Sequence, residues 1–214
     1  MIIKDNVITN KALLQSIQND KNNIFMEDGC YSLWYPGESV QNTTELIIEH
    51  IIKLLELDIS KCVSIEHWTF PSTKLTASNR WHRNTNVNNE GHVLRQITPI
   101  YSLVYFPIPI DIEGGYLEIS SKRGDITPYD KQGRRNEEGL LIDLLPNHKE
   151  ILGELQRIKP VYNRAIVFDG DLWHRVSPHI GDRWSLSVDF WREDILDDFH
   201  CRDLIYGESN EWYN

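Results

Sequence analysis

RWSLSVDFW, residues 183–191, alternates with a period of two: Trp184, Leu186, Val188 and Phe190 fall on one face, Arg183, Ser185, Ser187 and Asp189 on the other. Successive side chains of a strand point to opposite sides, so the stretch predicts a strand with one core face and one polar face. The polar face either meets solvent or lines a polar cavity inside a barrel, and this stretch alone leaves both open. Further back along the chain, VSIEHWTF (63–70), ITPIYSLVYFPIPI (97–110), GYLEIS (115–120), NRAIVFDG (163–170) and DLWHRVSP (171–178) have the same character. Each is rich in β-branched and aromatic residues and is bounded by Gly, Pro, Asn or Asp. Short strands separated by turns predict a mainly β fold, a sandwich or a barrel.

Helical spacing occurs in two places. NTTELIIEHIIKLLEL (42–57) puts Leu46, Ile47, Ile51, Leu54 and Leu55 on one stripe, with Thr43 or Thr44 as N-cap. A shorter helix is expected over 147–158, where Ile151, Leu152 and Leu155 recur and Pro160 follows.

The 214 residues carry 22 Lys+Arg against 32 Asp+Glu, a net charge of −10, and 40% are hydrophobic, which fits one globular domain over 1–214. At this length about 70% of the unfolded surface can be buried, so the core needs no metal or disulfide to hold it. No Lys/Arg run is longer than the pair Arg134-Arg135, too little for a nucleic-acid footprint or an anionic membrane. The opening MIIKDNVITN lacks the basic-then-apolar order of a signal peptide, and the apolar runs fall short of a span of about 20 residues, so a cytoplasmic protein is expected. Cys30, Cys62 and Cys201 lack paired spacing and read as free thiols. The charged, Gly-containing stretch 121–146 is either a lid over a barrel mouth or a solvated insertion.

Two of the eight histidines stand out by context: His82 in RWHRNTN, and His174 in FDGDLWHRVSP, nine residues before Arg183. With Ser185 on the same strand face as Arg183, these residues combine imidazoles with a planar cationic fork suited to a carboxylate. In order, Trp81-His82, Tyr101-Ser-Leu-Val-Tyr105-Phe-Pro107, Gly114-Gly115-Tyr116-Leu117-Glu-Ile119, Asn163-Arg-Ala-Ile-Val-Phe-Asp-Gly170, His174-Arg-Val176 and Gly181-Asp-Arg183-Trp-Ser185-Leu-Ser-Val188 make a longer pattern. Over residues 62–191 this pattern resembles the Fe(II)/2-oxoglutarate-dependent dioxygenases of the prolyl-hydroxylase-like branch.

The resemblance implies a double-stranded β-helix (jelly-roll) barrel flanked by helices, Fe(II) as metal and 2-oxoglutarate as co-substrate. It implies an oxygenase that hydroxylates or otherwise oxidises an amino acid, a peptide or a small natural product. His82 and His174 would be metal ligands, and Arg183 with Ser185 would hold the distal carboxylate of 2-oxoglutarate. Leu117 and Tyr105 would line or hydrogen-bond the co-substrate, and Trp81, beside His82, would touch substrate. Such sites use neutral imidazoles on Fe(II) and keep positions open for co-substrate and O2.

The family motif His-any-Asp reads here His82-Arg83-Asn84. An amide oxygen can ligate but brings no charge. Three readings stay open: Asn84 ligates in a working enzyme, a halide completes the metal's sphere as in halogenating relatives, or the site is degenerate. The last leaves a non-catalytic barrel that binds a small carboxylate. Glu90 is a nearby acid whose spacing does not recommend it.

Overall fold

The computed structural model describes residues 1–19, 31–72, 81–84, 86–88, 95–123 and 152–194. The strands are β1 (Ile2–Asp5), β2 (Tyr31–Trp34), β3 (Ser64–Ser72), β4 (Asn86–Asn88), β5 (Arg95–Ile97), β6 (Tyr101–Tyr105), β7 (Glu113–Gly114), β8 (Leu117–Arg123), β9 (Leu155–Ile158), β10 (Arg164–Asp169), β11 (Leu172–Val176), β12 (His179–Ile180) and β13 (Arg183–Trp191). Helices α1 (Lys11–Asn19) and α2 (Thr43–Leu54) complete the described elements. No described helix is long and apolar enough to cross a membrane.

The main sheet has the antiparallel order β1-β10-β6-β13-β3-β2, and a smaller sheet runs β11-β8-β9. Two-stranded pieces, β12-β7 and β4-β5, complete the pairing. Non-sequential neighbours such as β1-β10, β10-β6, β6-β13 and β13-β3 are what a jelly roll requires, and the architecture is the double-stranded β-helix expected.

Along β13 the two faces have separate fates. Leu186, Val188 and Phe190 join the core beneath the helices, together with Ile65, Leu103, Tyr105, Val167 and the α2 residues Ile47, Ile48, Ile51 and Ile52. Burying each such side chain contributes roughly 1.5–3 kcal/mol, and this layer fixes which side of the sheet is outside. Arg183, Ser185, Ser187 and Asp189 therefore face inward, toward the second sheet. Between the sheets lies an apolar layer of Val104, Phe106, Leu117, Ile119, Ile158, Ile166 and Phe168.

Helix α2 differs in detail from the periodicity. Its N-cap is Asn42, whose Oδ1 accepts from Glu45 N at 2.9 Å, while Glu45 accepts from Asn42 Nδ2 at 2.8 Å and from Gln41 N at 2.6 Å. The reciprocal bonds satisfy first-turn amides that Thr43 and Thr44, already helical, cannot cap. The four isoleucines set the buried stripe, leaving Leu46 and Leu54 exposed at its far side and edge.

The expected helix over 147–158 is not borne out at its described end. Leu155–Ile158 is β9, paired antiparallel with β8 (Leu117↔Ile158, Ser120↔Leu155). Gly153 has φ +67°, a left-handed conformation that ends any helix there, and an added Cβ would stand 2.5 Å from Ser121 Oγ. Residues 147–151 lie outside the described residues, as do Cys30, Cys201, Glu90 and positions 124–146 of the expected lid; 121–123 belong to β8.

Candidate active site

A short antiparallel bridge joins His82 to His174. His82 N donates to His174 O at 3.0 Å and His174 N donates to His82 O at 2.9 Å. Residues directly opposite in such a pair project to the same side, and the two imidazole centroids are 4.3 Å apart. Alternation then sends Asn84 to the cavity side with His82, and Arg83 away from it. Arg83 is buried, forms an ion pair with Asp171 in the β10–β11 turn, and lies 5.7 Å over the Trp173 ring. The strand segment bearing His82 and Asn84 is thus tied to the hairpin bearing His174.

His174 Nδ1 sits 3.0 Å from the carbonyl oxygen of Leu172. A carbonyl can only accept, so the ring proton occupies Nδ1 and Nε2 presents its lone pair, the arrangement metal-binding imidazoles use. Phe168 packs edge-on at 5.0 Å from the same ring.

Arg183 opens β13 and is 3% exposed. Its Nε donates to Gly115 O at 3.3 Å, its Nη1 donates to Ser185 Oγ at 2.9 Å, and its guanidinium lies 5.1 Å from the Phe106 ring. No carboxylate among the described residues forms an ion pair with it. Burial alone pulls its pKa down to about 10, and at neutral pH it remains a cation. The Gly114-Gly115 turn makes the close approach possible: both have positive φ, a Cβ on Gly114 would run into the Pro178 carbonyl, and one on Gly115 would meet Ile112 Cδ1 at 2.6 Å.

One cavity of about 60 Å³ brings His82, Asn84, His174, Arg183, Ser185 and Leu117 together. Two expected site residues are elsewhere. Tyr105 shares the helix-side face of β6 with Leu103, and its hydroxyl, 3.0 Å from Asn163 Oδ1, is buried in the outer core, which pushes its pKa up. Trp81 packs in a side cluster with Leu152 and Trp173, under the Arg175 guanidinium 4.9 Å from its ring centroid. It adjoins His82 in sequence and for that reason points the other way. Conversely, Trp68, Ser102, Ser187 and Asp189 line the cavity. The parity of Ser187 and Asp189 with Arg183 was the signal for two of them.

The donor chemistry fits a divalent metal held by His82, His174 and the amide of Asn84: two imidazoles, one with its tautomer fixed by a carbonyl, and one neutral oxygen donor. Among the described residues no three His, Cys, Asp or Glu side chains group closely enough to hold a metal. A carboxylate is what this donor set lacks.

No family model matches the sequence, and no curated protein matches it. Solved structures do. A Pseudomonas putida prolyl-4-hydroxylase is similar at 15% identity and TM-score 0.50, over 90% of this chain and 92% of that one. HygX from Streptomyces hygroscopicus with iron bound is similar at 12% identity and TM-score 0.52, over 89% and 81% of the two chains. HygX with nickel, 2-oxoglutarate and hygromycin B bound is similar at 11% identity and TM-score 0.51, over 89% and 82%. The chain shares with these structures the double-stranded β-helix of Fe(II)/2-oxoglutarate enzymes.

Proposed function

We propose that the chain is an Fe(II)/2-oxoglutarate-dependent oxygenase acting on a small molecule or peptide. The observation that carries this reading is Arg183, a cation buried in a cavity wall with no carboxylate partner among the described residues, in the same cavity as His82, Asn84 and His174. Taking an ion out of water costs several kcal/mol, which a bound anion offsets. The guanidinium fork suits a carboxylate bidentately, and Ser185, already hydrogen-bonded to it, offers a second donor. Leu117, Val104 and Phe168 form apolar wall between this clamp and the imidazoles, where a flexible diacid would be held extended and dry. His82, His174 and Asn84 would hold the metal. When bound, iron and 2-oxoglutarate supply O2 activation and oxidation of a C–H bond, with 2-oxoglutarate leaving as succinate and CO2. Solved structures of the same fold with iron, or with nickel and 2-oxoglutarate, support the assignment.

Titration calorimetry tests it. Arg183→Gln is expected to weaken 2-oxoglutarate binding by about 1.5–3 kcal/mol, the range for hydrogen bonds to charged groups. An unchanged dissociation constant would rule the clamp out.

A second reading, a non-catalytic barrel that keeps the carboxylate pocket, is favoured by Asn84 alone. Asn84→Asp restores an anionic ligand and is expected to tighten divalent-metal binding by at least tenfold, since even outer partners of a metal site are worth about 10–100-fold. Equal metal affinity, with no succinate formed by either protein, would favour the binding barrel.

A further inference from the structure

The tripeptide Trp-His-Arg occurs twice in the chain, as Trp81-His82-Arg83 and as Trp173-His174-Arg175. The two copies meet at the His82–His174 bridge. Because the pairing is antiparallel, Trp81 falls opposite Arg175 and Arg83 falls opposite Trp173. An approximate two-fold axis therefore runs through the bridge and relates one tripeptide to the other. The side chains follow it: Arg175 lies 4.9 Å over the Trp81 ring, and Arg83 lies 5.7 Å over the Trp173 ring. Alternation puts both histidines on the cavity side and both indoles on the reverse.

The reverse side is closed. Trp81, Trp173 and Arg83 are buried there, and Leu152 joins both indoles in one cluster. A cation over an aromatic face gains most where water is excluded. Each guanidinium is also anchored by a carboxylate, Arg83 by Asp171 in the turn before Trp173, and Arg175 by Glu118 of β8 at 2.7 Å. Arg157 donates to the other oxygen of Glu118 at 2.8 Å and stacks 4.6 Å from the Tyr116 ring, so this anchor is itself held. Trp81 Nε1 has no hydrogen-bond partner among the described residues, although a buried indole ordinarily finds one. What the ring gains in its position is the contact of its face with Arg175. The backbone bridge is a single residue pair rather than a ladder. One pair fixes where the two segments meet and leaves their relative twist to the side chains packed on the reverse.

We propose that the two tripeptides form one clasp, in which Arg83 and Arg175 are positioning residues: each guanidinium, seated on the indole of the opposite tripeptide, holds the two imidazoles side by side on the cavity face. Trp81, expected to touch substrate, acts instead through Arg175. That the imidazoles are set for a metal rests on the oxygenase reading; that the clasp sets them side by side does not.

Two readouts on the full chain keep these claims apart. One is nickel binding by calorimetry, and the other is the ring-to-ring nuclear Overhauser effect between His82 and His174 in metal-free protein, where the ring centroids are 4.3 Å apart. Arg83→Met and Arg175→Met keep the apolar stem and remove the charge. The carboxylates they leave are not stranded, because the Asp171 side chain is 28% exposed and Glu118 keeps Arg157. Each variant is expected to lose the ring-to-ring signal and to bind nickel at least about tenfold more weakly, the loss typical of outer partners of a metal site. Arg83→Lys and Arg175→Lys, which return the cation, should restore most of both. Trp81→Leu, which keeps apolar bulk and removes the ring, should behave as Arg175→Met does, and Trp81→Phe should stay close to native. Methionine variants with the native signal and native nickel affinity would overturn the proposal. So would losses that lysine does not relieve, which would trace them to packing rather than to the cation. If the native chain binds no nickel, the metal reading falls and the ring-to-ring signal alone decides the clasp.

Discussion

His67 shows how a single buried imidazole feeds into stability. It sits on β3, 4% exposed on the face toward α2, and burial lowers its pKa below 6.5, a shift that the negative charge of Glu45 on α2 only partly opposes. Its folded-state pKa is thus below its unfolded value, so the unfolded chain binds the proton more readily. Stability is whole above pH 6.5 and is lost as the pH falls through the folded pKa. Urea denaturation from pH 7.5 to 5 should show this decline, and His67→Gln should flatten it. A slope unchanged by the substitution would place the titration on another group. The same scale separates the expected site residues that line the cavity from those that do not. His82 and Asn84 share strand parity and reach the cavity together, and Trp81, of opposite parity, could have been excluded on that ground. Tyr105 was less legible. From Leu103 to Phe106 both faces are apolar, Leu103 and Tyr105 entering the helix-side core and Val104 and Phe106 the inner layer, and Ser102 is the one residue of β6 whose polarity marks the cavity side.

Among the elements, α2 owes its start to the Asn42–Glu45 pair and its hold on the sheet to four isoleucines. Asn42→Ala removes an acceptor for a first-turn amide and should lower stability by about 0.5–2 kcal/mol, measured by chemical denaturation. Asn42→Asp, which keeps the acceptor next to the helix's positive end, should cost much less. β13 was legible because one face is aliphatic and aromatic and the other is polar from Arg183 to Asp189, an asymmetry only a period of two produces. β9 was not, because Ile151, Leu152 and Leu155 satisfy a helical spacing while Leu155 and Ile158 equally suit a short strand. What decides between them is the left-handed backbone at Gly153 and the open edge of β8, neither of which is written in local periodicity.

At the scale of the molecule, the segment bearing His82 is joined to β11 of the smaller sheet at the candidate site through the reciprocal amide pair of His82 and His174. The fold class could be read from strand patterns because they recur; which side chains come together in one cavity could not, since that depends on which strands become neighbours. The amide pair also has a kinetic consequence. Neither proton can meet solvent while the other bond holds, so the two amides should exchange with deuterium at one common rate, set by the parting of the segments rather than by either residue's chemistry. Hydrogen exchange followed by NMR reads that rate directly, and filling the cavity with 2-oxoglutarate and nickel should slow both amides by the same factor. Unequal protection would mean the two segments separate independently, one strand peeling from the other. The imidazoles thus carry on their own backbones a clock for how often the site opens.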